Sequence, residues 1–283
     1  MRLAELYVYP VKGARGIALD RARVRADGLQ HDRRFMLVDA AGCFLSQREH
    51  PSLAVIRTEL REASLVIATP AGEAVEVPLA PAGPRRLVHI WRNDVVAVEV
   101  EGPASALVSD HLGAACSLVF MPDDVVRPVN PAYALPGDRV SFADGYPVLL
   151  AASSSLDDLN ARLAEAVPMN RFRPNLVVDG GVAFEEELHA RVRVGGVTFR
   201  MPKRCDRCTV ITVDQSTGAV GREPLRTLAT YRSDANKVYF AQNLIPEASL
   251  GAGGARVAGE LALGDEVAYL ERLAPYSEPR RQA

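Results

Sequence analysis

Val192-Arg-Val-Gly-Gly-Val-Thr-Phe-Arg-Met-Pro-Lys-Arg-Cys-Asp-Arg-Cys-Thr-Val-Ile-Thr-Val213 carries both a decisive backbone pattern and the most loaded chemistry of the chain. Val192-Arg-Val194 and Val197-Thr-Phe-Arg200 flank Gly195-Gly196, the mark of a β-hairpin whose short turn needs positive φ. The second strand delivers the chain to Lys203-Arg204 and then to Cys205 and Cys208. Nearby cations favour thiolate over thiol, and thiolate is both nucleophile and metal ligand. Thr209-Val-Ile-Thr-Val213 is β-branched and reads as a strand. In a thioredoxin-type redox pair the second cysteine would enter a helix, so this strand weighs against that chemistry. A closed zinc site needs about four ligands, and Cys43 and Cys116 are solitary and distant. Buried cysteines acting as small hydrophobes explain one Cys but not the clustering with charge. From these residues alone, a functional thiolate and a structural pair both stay open.

With 283 residues the chain has room for one large or two modest domains. Its hydrophobic fraction of 48% and charged fraction of 24% exclude disorder as the default. A net charge of −2 and a pI near 6.2 argue against a general nucleic-acid or anionic-membrane binder. No stretch approaches the ~20 apolar residues of a membrane span, and Leu3–Tyr9 is too short and interrupted for an export signal. Four irregularly spaced cysteines then point to a reducing cytoplasm.

Upstream of the quoted stretch, strand signals recur at short spacing. Leu3–Tyr9 stops at Pro10, and hairpins are expected at 33–46 around Gly42, at 64–78 around Gly72, and at 87–100. His89 falls in an apolar run and reads as a core side chain. A short helix is expected over 103–112, ending at Gly113, and then a proline-interrupted connector over 121–131. The strongest helical pattern is Ser155–Val167, with Ser155 and Asp158 at capping-box spacing. Ser153, Ser154 and Ser155 at its start suit either an anion or simple capping. Arg171 and Arg173 alternate with Phe172, which on an extended strand turns both guanidiniums to one side, as an anion clamp or a solvated face. After Cys208 a turn at 214–218, a helix near Leu225–Tyr231 and strands near 238–244 and 266–270 are expected. The fold class is therefore mainly β with a few helices (α+β), with a polar, frayed tail over 274–283.

Several of these motifs resemble one known family. Tyr9-Pro-Val-Lys-Gly13, Asp27-Gly-Leu-Gln-His-Asp-Arg-Arg-Phe35 and Gln47-Arg-Glu49 resemble the β-barrel domain that precedes MOSC domains. Phe172-Arg-Pro-Asn175, Cys205–Asp214, Gly218, Glu223-Pro-Leu225 and Gly264-Asp265 resemble the MOSC domain itself. The resemblance implies an N-terminal β-barrel domain over 1–115 and a MOSC β-barrel over 116–273, nearest the mitochondrial amidoxime-reducing components and their bacterial relatives, which hold a molybdenum–molybdopterin cofactor. It implies that Cys208 is the catalytic thiolate and molybdenum ligand, with Cys205 behind it or structural. Lys12, Arg33, Arg173 and Arg207 match the cations that hold pterin and phosphate. Asn175 and Asp206 match positions that touch the cofactor or shape its loop, and Ser153 or Ser155 supplies polar contacts. Gly13 offers only a backbone N–H where relatives often carry serine, and Asp206 needs Arg207 or Lys203 to neutralise it. The implied activity is reduction of N-hydroxylated small molecules, such as hydroxylamines and amidoximes. No ferredoxin-type cysteine set follows, so electrons are expected from a separate ferredoxin, or from a cytochrome b5-like protein or flavoprotein reductase. The alternatives are a non-catalytic carrier or sensor of the cofactor, and a persulfide acceptor in sulfur transfer.

Overall fold

The Gly195-Gly196 turn joins strands Arg191–Val194 and Val197–Arg207, paired from Val194↔Val197 to Arg191↔Arg200. Gly195 takes φ +53°, and a Cβ there would lie 2.5 Å from the Asp265 carboxylate, so both conformation and space select glycine. In this computed structural model, which describes residues 1–250 and 256–273, that hairpin lies in a nine-stranded mixed sheet. Beside Val197–Arg207 runs Lys237–Pro246, then Val148–Ala152, then Leu176–Asp179 in parallel, and then Arg2–Val8. The first strand of the chain thus sits in one sheet with the Cys-x-x-Cys strand.

Period-two alternation sends neighbouring side chains to different cores. Leu176 and Val178 pack with Leu3, Leu6 and Phe199 on one face. Val177 packs on the other face with Phe172, Ile211 and Phe240. A separate four-stranded sheet, Phe35–Val38, Ser117–Phe120, Asn93–Glu99 and Arg85–Ile90, and a three-stranded sheet, Arg57–Leu60, Ser64–Ala68 and Ala74–Pro78, contain the hairpins expected at 64–78 and 87–100, whereas Phe35–Val38 pairs along its length with Ser117–Phe120 and meets the 43–46 segment at the isolated bridge Val38↔Phe44. The helix Ala104–Leu112 stops at Gly113 in the left-handed region, as expected. Among the described residues no helix is long and apolar enough to cross a membrane. The tail expected from residue 274 lies outside the described residues.

Four local expectations are overturned. The helix expected over 155–167 runs Ser153–Asn160. It ends there because the Asn160 side chain exchanges hydrogen bonds with the backbone of Val167, while Asp158 pairs with Arg162 instead of capping. Thr209–Thr212 coils into a 3-10 turn, closed by the Thr212 hydroxyl on the Thr209 carbonyl and buried through Ile211. Met169–Phe172 is also a 3-10 turn and Arg173 takes φ +54°, so Arg171 and Arg173 do not share a strand face. His89 is half-exposed and pairs with Asp94 at 2.7 Å.

Candidate functional site

The strand Val197–Arg207 slips register against Lys237–Pro246 between Arg200 and Lys203 and again between Arg204 and Asp206. Such bulges re-aim side chains, and here the two thiols and Arg207 come to line one cleft. Arg207 donates from Nη1 to Cys205 Sγ at 3.1 Å and from Nη2 to the Phe172 carbonyl at 2.9 Å. Burial pushes the Cys205 thiol up, opposed by the Arg207 charge and reinforced by Asp206. Cys208 follows the strand with an extended backbone, φ −116° and ψ −177°, and is exposed. An extended backbone from Cys205 to Cys208 separates their Cα atoms by roughly 9–10 Å at the usual rise, beyond the ~7 Å a disulfide spans. That spacing, rather than a strand after Cys208, weighs against a redox pair. Asp206 is neutralised by Lys203 at 3.0 Å and Lys237 at 3.5 Å, and not by Arg207.

The opposite wall comes from the N-terminal part of the chain. Lys12, almost fully buried, forms an ion pair with Asp144. Burial draws the ammonium of Lys12 down while the Asp144 charge draws it up. The Asp144 carboxylate is largely exposed, and Lys12, Arg33 and the Trp91 indole N–H hold its carboxyl well below the usual carboxylate range. The Tyr9 ring lies between the guanidiniums of Arg33 and Arg173, 4.2 and 4.4 Å from its centroid, and its hydroxyl donates to the Pro174 carbonyl at 3.0 Å. Burial pushes Arg173 down to about 10, so it stays charged at neutral pH. Arg173 also donates to Gln215 at 2.9 Å and to the Ala14 carbonyl at 2.7 Å. Asn175 ties the parts together: its Oδ1 accepts from Arg33 and from Leu149 N–H, each at 3.1 Å, and its Nδ2 donates to the Tyr7 carbonyl at 3.1 Å.

These walls face each other across one cleft that opens to solvent. Lys12, Gly13, Arg33, Arg173, Asn175, Asp206, Arg207 and Cys208 all line it, with Cys205 beside them. Ser153 and Ser155 do not. The Ser153 hydroxyl donates to Asp179 at 2.7 Å, and that of Ser155 to buried Glu186 at 2.9 Å.

Family profiles match the chain twice: the MOSC N-terminal beta barrel domain over residues 1–115 and the MOSC domain over 137–268. The mitochondrial amidoxime-reducing component 1 of Mus musculus is 30% identical over 244 residues, covering 81% of this chain and 71% of its own length. This chain belongs to the MOSC-domain family. The mitochondrial amidoxime reducing component 2 of Bos taurus is 30% identical over 241 residues, 81% of this chain and 72% of that one. The molybdenum cofactor sulfurase of Oryza sativa is 28% identical over 292 residues, covering 94% of this MOSC protein and 35% of the longer sulfurase.

The cleft of this MOSC protein also contains residues that sequence patterns did not single out, among them Asp144, Trp91 and Phe44, and Arg48, which the sequence marked only as part of the Gln47-Arg-Glu49 motif. Asp144 lies in an irregular loop with no periodicity to mark it. Its position is set by Arg127, almost fully buried, whose guanidinium donates to Asn93 Oδ1 at 2.9 Å and to the carbonyls of Ser141 at 2.9 Å, Ala143 at 2.5 Å and Asp144 at 3.0 Å. The connector over 121–131 thus supplies, through Arg127, the clamp that sets one wall of the cleft.

Proposed function

We propose that this MOSC protein is a molybdenum-cofactor-dependent reductase of N-hydroxylated compounds. The observation that carries the proposal is the convergence, in one cleft, of an exposed thiol at Cys208 with Lys12, Arg33, Arg173 and Arg207, drawn from both ends of the chain. The donor set suits the cofactor. Arginine forks hold phosphate oxygens in pairs while staying charged. Arg207 keeps a buried Nε–H with no protein partner, a donor left for a ligand. Asp206 does not oppose an anion here, because Lys203 and Lys237 cancel it.

In this reading Cys208 is the thiolate ligand to molybdenum and the one catalytic side chain. Lys12, Arg33, Arg173 and Arg207 hold the pterin and phosphate, and the Gly13 backbone and Asp206 shape their surroundings. Asn175 acts by fixing Arg33. Ser153 and Ser155 are outside the set. When bound, the cofactor supplies the two-electron chemistry of N–O cleavage, in which R–NHOH, two electrons and two protons give R–NH2 and water. The chain's own groups orient the reactants and balance charge. The electrons come from a separate electron-transfer protein such as a ferredoxin, a cytochrome b5-like protein or a flavoprotein reductase.

The test is molybdenum content and oxidised-pterin fluorescence of protein made in a cofactor-competent host, wild type beside Cys208→Ser, followed by benzamidoxime reduction with a chemical reductant. Near-stoichiometric molybdenum, its loss in the variant and turnover by wild type support the proposal. Folded wild type free of molybdenum and pterin overturns it. The match of the rice cofactor sulfurase to almost the whole chain favours a second reading, persulfide acceptance at exposed Cys208. A one-sulfur mass gain on Cys208 after incubation with a persulfide donor is its signature.

A further inference from the structure

Gln47-Arg-Glu49 brings to the cleft one cation that the cofactor reading leaves unused. Arg48 lies with its guanidinium 4.5 Å over the ring of Trp91. The Nε–H meets the Ser46 hydroxyl at 3.3 Å, and its two terminal amino groups have no hydrogen bond or ion pair among the described residues. The other lining cations are engaged: Lys12 with Asp144, Arg33 with Asp32 and Asn175, Arg173 with Gln215 and Ala14, Arg207 with Cys205 and Phe172. They also sit deeper. Lys12 is nearly buried, whereas Arg48 is exposed.

The platform under Arg48 is built at a cost. Trp91 turns the hairpin between Arg85–Ile90 and Asn93–Glu99 at φ +55°, a region unfavourable for a bulky residue and one that collects at ligand sites. It is held there by its indole N–H on Asp144 at 3.3 Å and by Phe44, whose ring centroid is 4.9 Å away. Trp91 is nonetheless 46% exposed. A stacked guanidinium has lost much of its freedom and keeps its outward N–H pairs, the arrangement that captures a carboxylate in two parallel hydrogen bonds.

From this geometry we infer that Arg48 on Trp91 is a rim subsite for a carboxylate on the substrate, so that the preferred substrates are N-hydroxylated compounds with a carboxylate at the end remote from the N–O bond. The inference rests on the reductase reading for the identity of the substrate, but the subsite itself is measurable without turnover. Trp91 is the single tryptophan of the chain, so intrinsic fluorescence reports on the rim alone.

The experiment compares benzamidoxime with 4-carboxybenzamidoxime on wild type and Arg48→Gln, and titrates both proteins with 4-carboxybenzamidine and benzamidine while reading Trp91 emission. The expected result is a kcat/KM ratio of roughly ten in favour of the carboxylate in wild type, as one charge-assisted fork supplies, falling to about one in Arg48→Gln. A matching loss of carboxylate-dependent quenching, with pterin content equal in the two proteins, completes it. Equal handling of the two amidoximes by wild type overturns the inference. So does pterin loss in Arg48→Gln, which would make Arg48 a cofactor contact. If wild type turns over neither amidoxime, the reductase reading falls, and carboxylate-selective quenching that needs Arg48 still decides for or against the subsite.

Discussion

Glu186 is completely buried, and its carboxyl takes hydrogen bonds from the Ser155 hydroxyl at 2.9 and 3.2 Å. Burial raises its pKa from 4.5 to about 7, against the pull of its own backbone N–H, Ser155 and Arg232. The folded protein therefore binds this proton more tightly than the unfolded chain. The stability it contributes is fully present below the unfolded value and is lost as pH rises through the folded one. The difference between 4.5 and about 7 corresponds to about 3 kcal/mol, most of it lost between pH 5 and 7. Glu186→Gln keeps a neutral amide in the same place and removes this titration. Thermal unfolding followed by circular dichroism from pH 5 to 8 should show the variant gaining on wild type as pH rises, by about 4–5 °C for a chain of this size. A Tm difference that stays constant over that range would refute the reasoning, because it would mean that Glu186 ionises equally well in both states.

Gly13→Ser, which installs the side chain often found in relatives, should cost about 1–2 kcal/mol in urea unfolding, since Gly13 has φ +88° and a Cβ would lie 3.2 Å from Leu53 Cδ1. Arg127→Ala strands three backbone carbonyls and the Asn93 side chain. It should destabilise the fold by about 3 kcal/mol and speed proteolysis at 139–146, read by limited digestion and mass spectrometry. Diamide oxidation of the folded protein should leave Cys205 and Cys208 unlinked, because extended backbone holds them apart. Peptide mapping of the oxidised sample under non-reducing conditions checks this.

The hairpins at 64–78 and 87–100 were legible because their signals are local: Ser64–Ala68 is a short apolar run rich in β-branched residues, Ala74–Pro78 alternates in sequence, and Gly72, with φ +95°, sits where the turn needs it. Thr209–Thr212 was misread because β-branched residues promise a strand, whereas Thr212 satisfies the Thr209 carbonyl with its own hydroxyl. Arg171 and Arg173 were misread as strand neighbours because alternation alone does not reveal a left-handed residue at Arg173. The Cys205–Cys208 cluster and its cations stood out by composition and resemblance. Asp144 and Trp91 did not, since a loop carboxylate and a turn indole become part of a cleft only through the distant guanidiniums of Arg127 and Arg48. The serines at 153 and 155 illustrate the converse: a helix start advertises anion binding, yet these hydroxyls are consumed by Asp179 and Glu186.

The clasp of Tyr9 between Arg33 and Arg173 bears on when the cleft comes into being. It joins residues 165 positions apart, Tyr9 and Pro174, and Asn175 spans 168 positions to Tyr7. Contacts of such separation form late, after the chain has met the entropy of closing very long loops. A ribosome-bound chain lacking Cys208 has the guanidiniums of one wall and not the thiol of the other. The ligand cradle is therefore completed only after synthesis has passed Cys208, and a fragment from either end offers half of it. Ligand loading is in that sense a readout of finished folding.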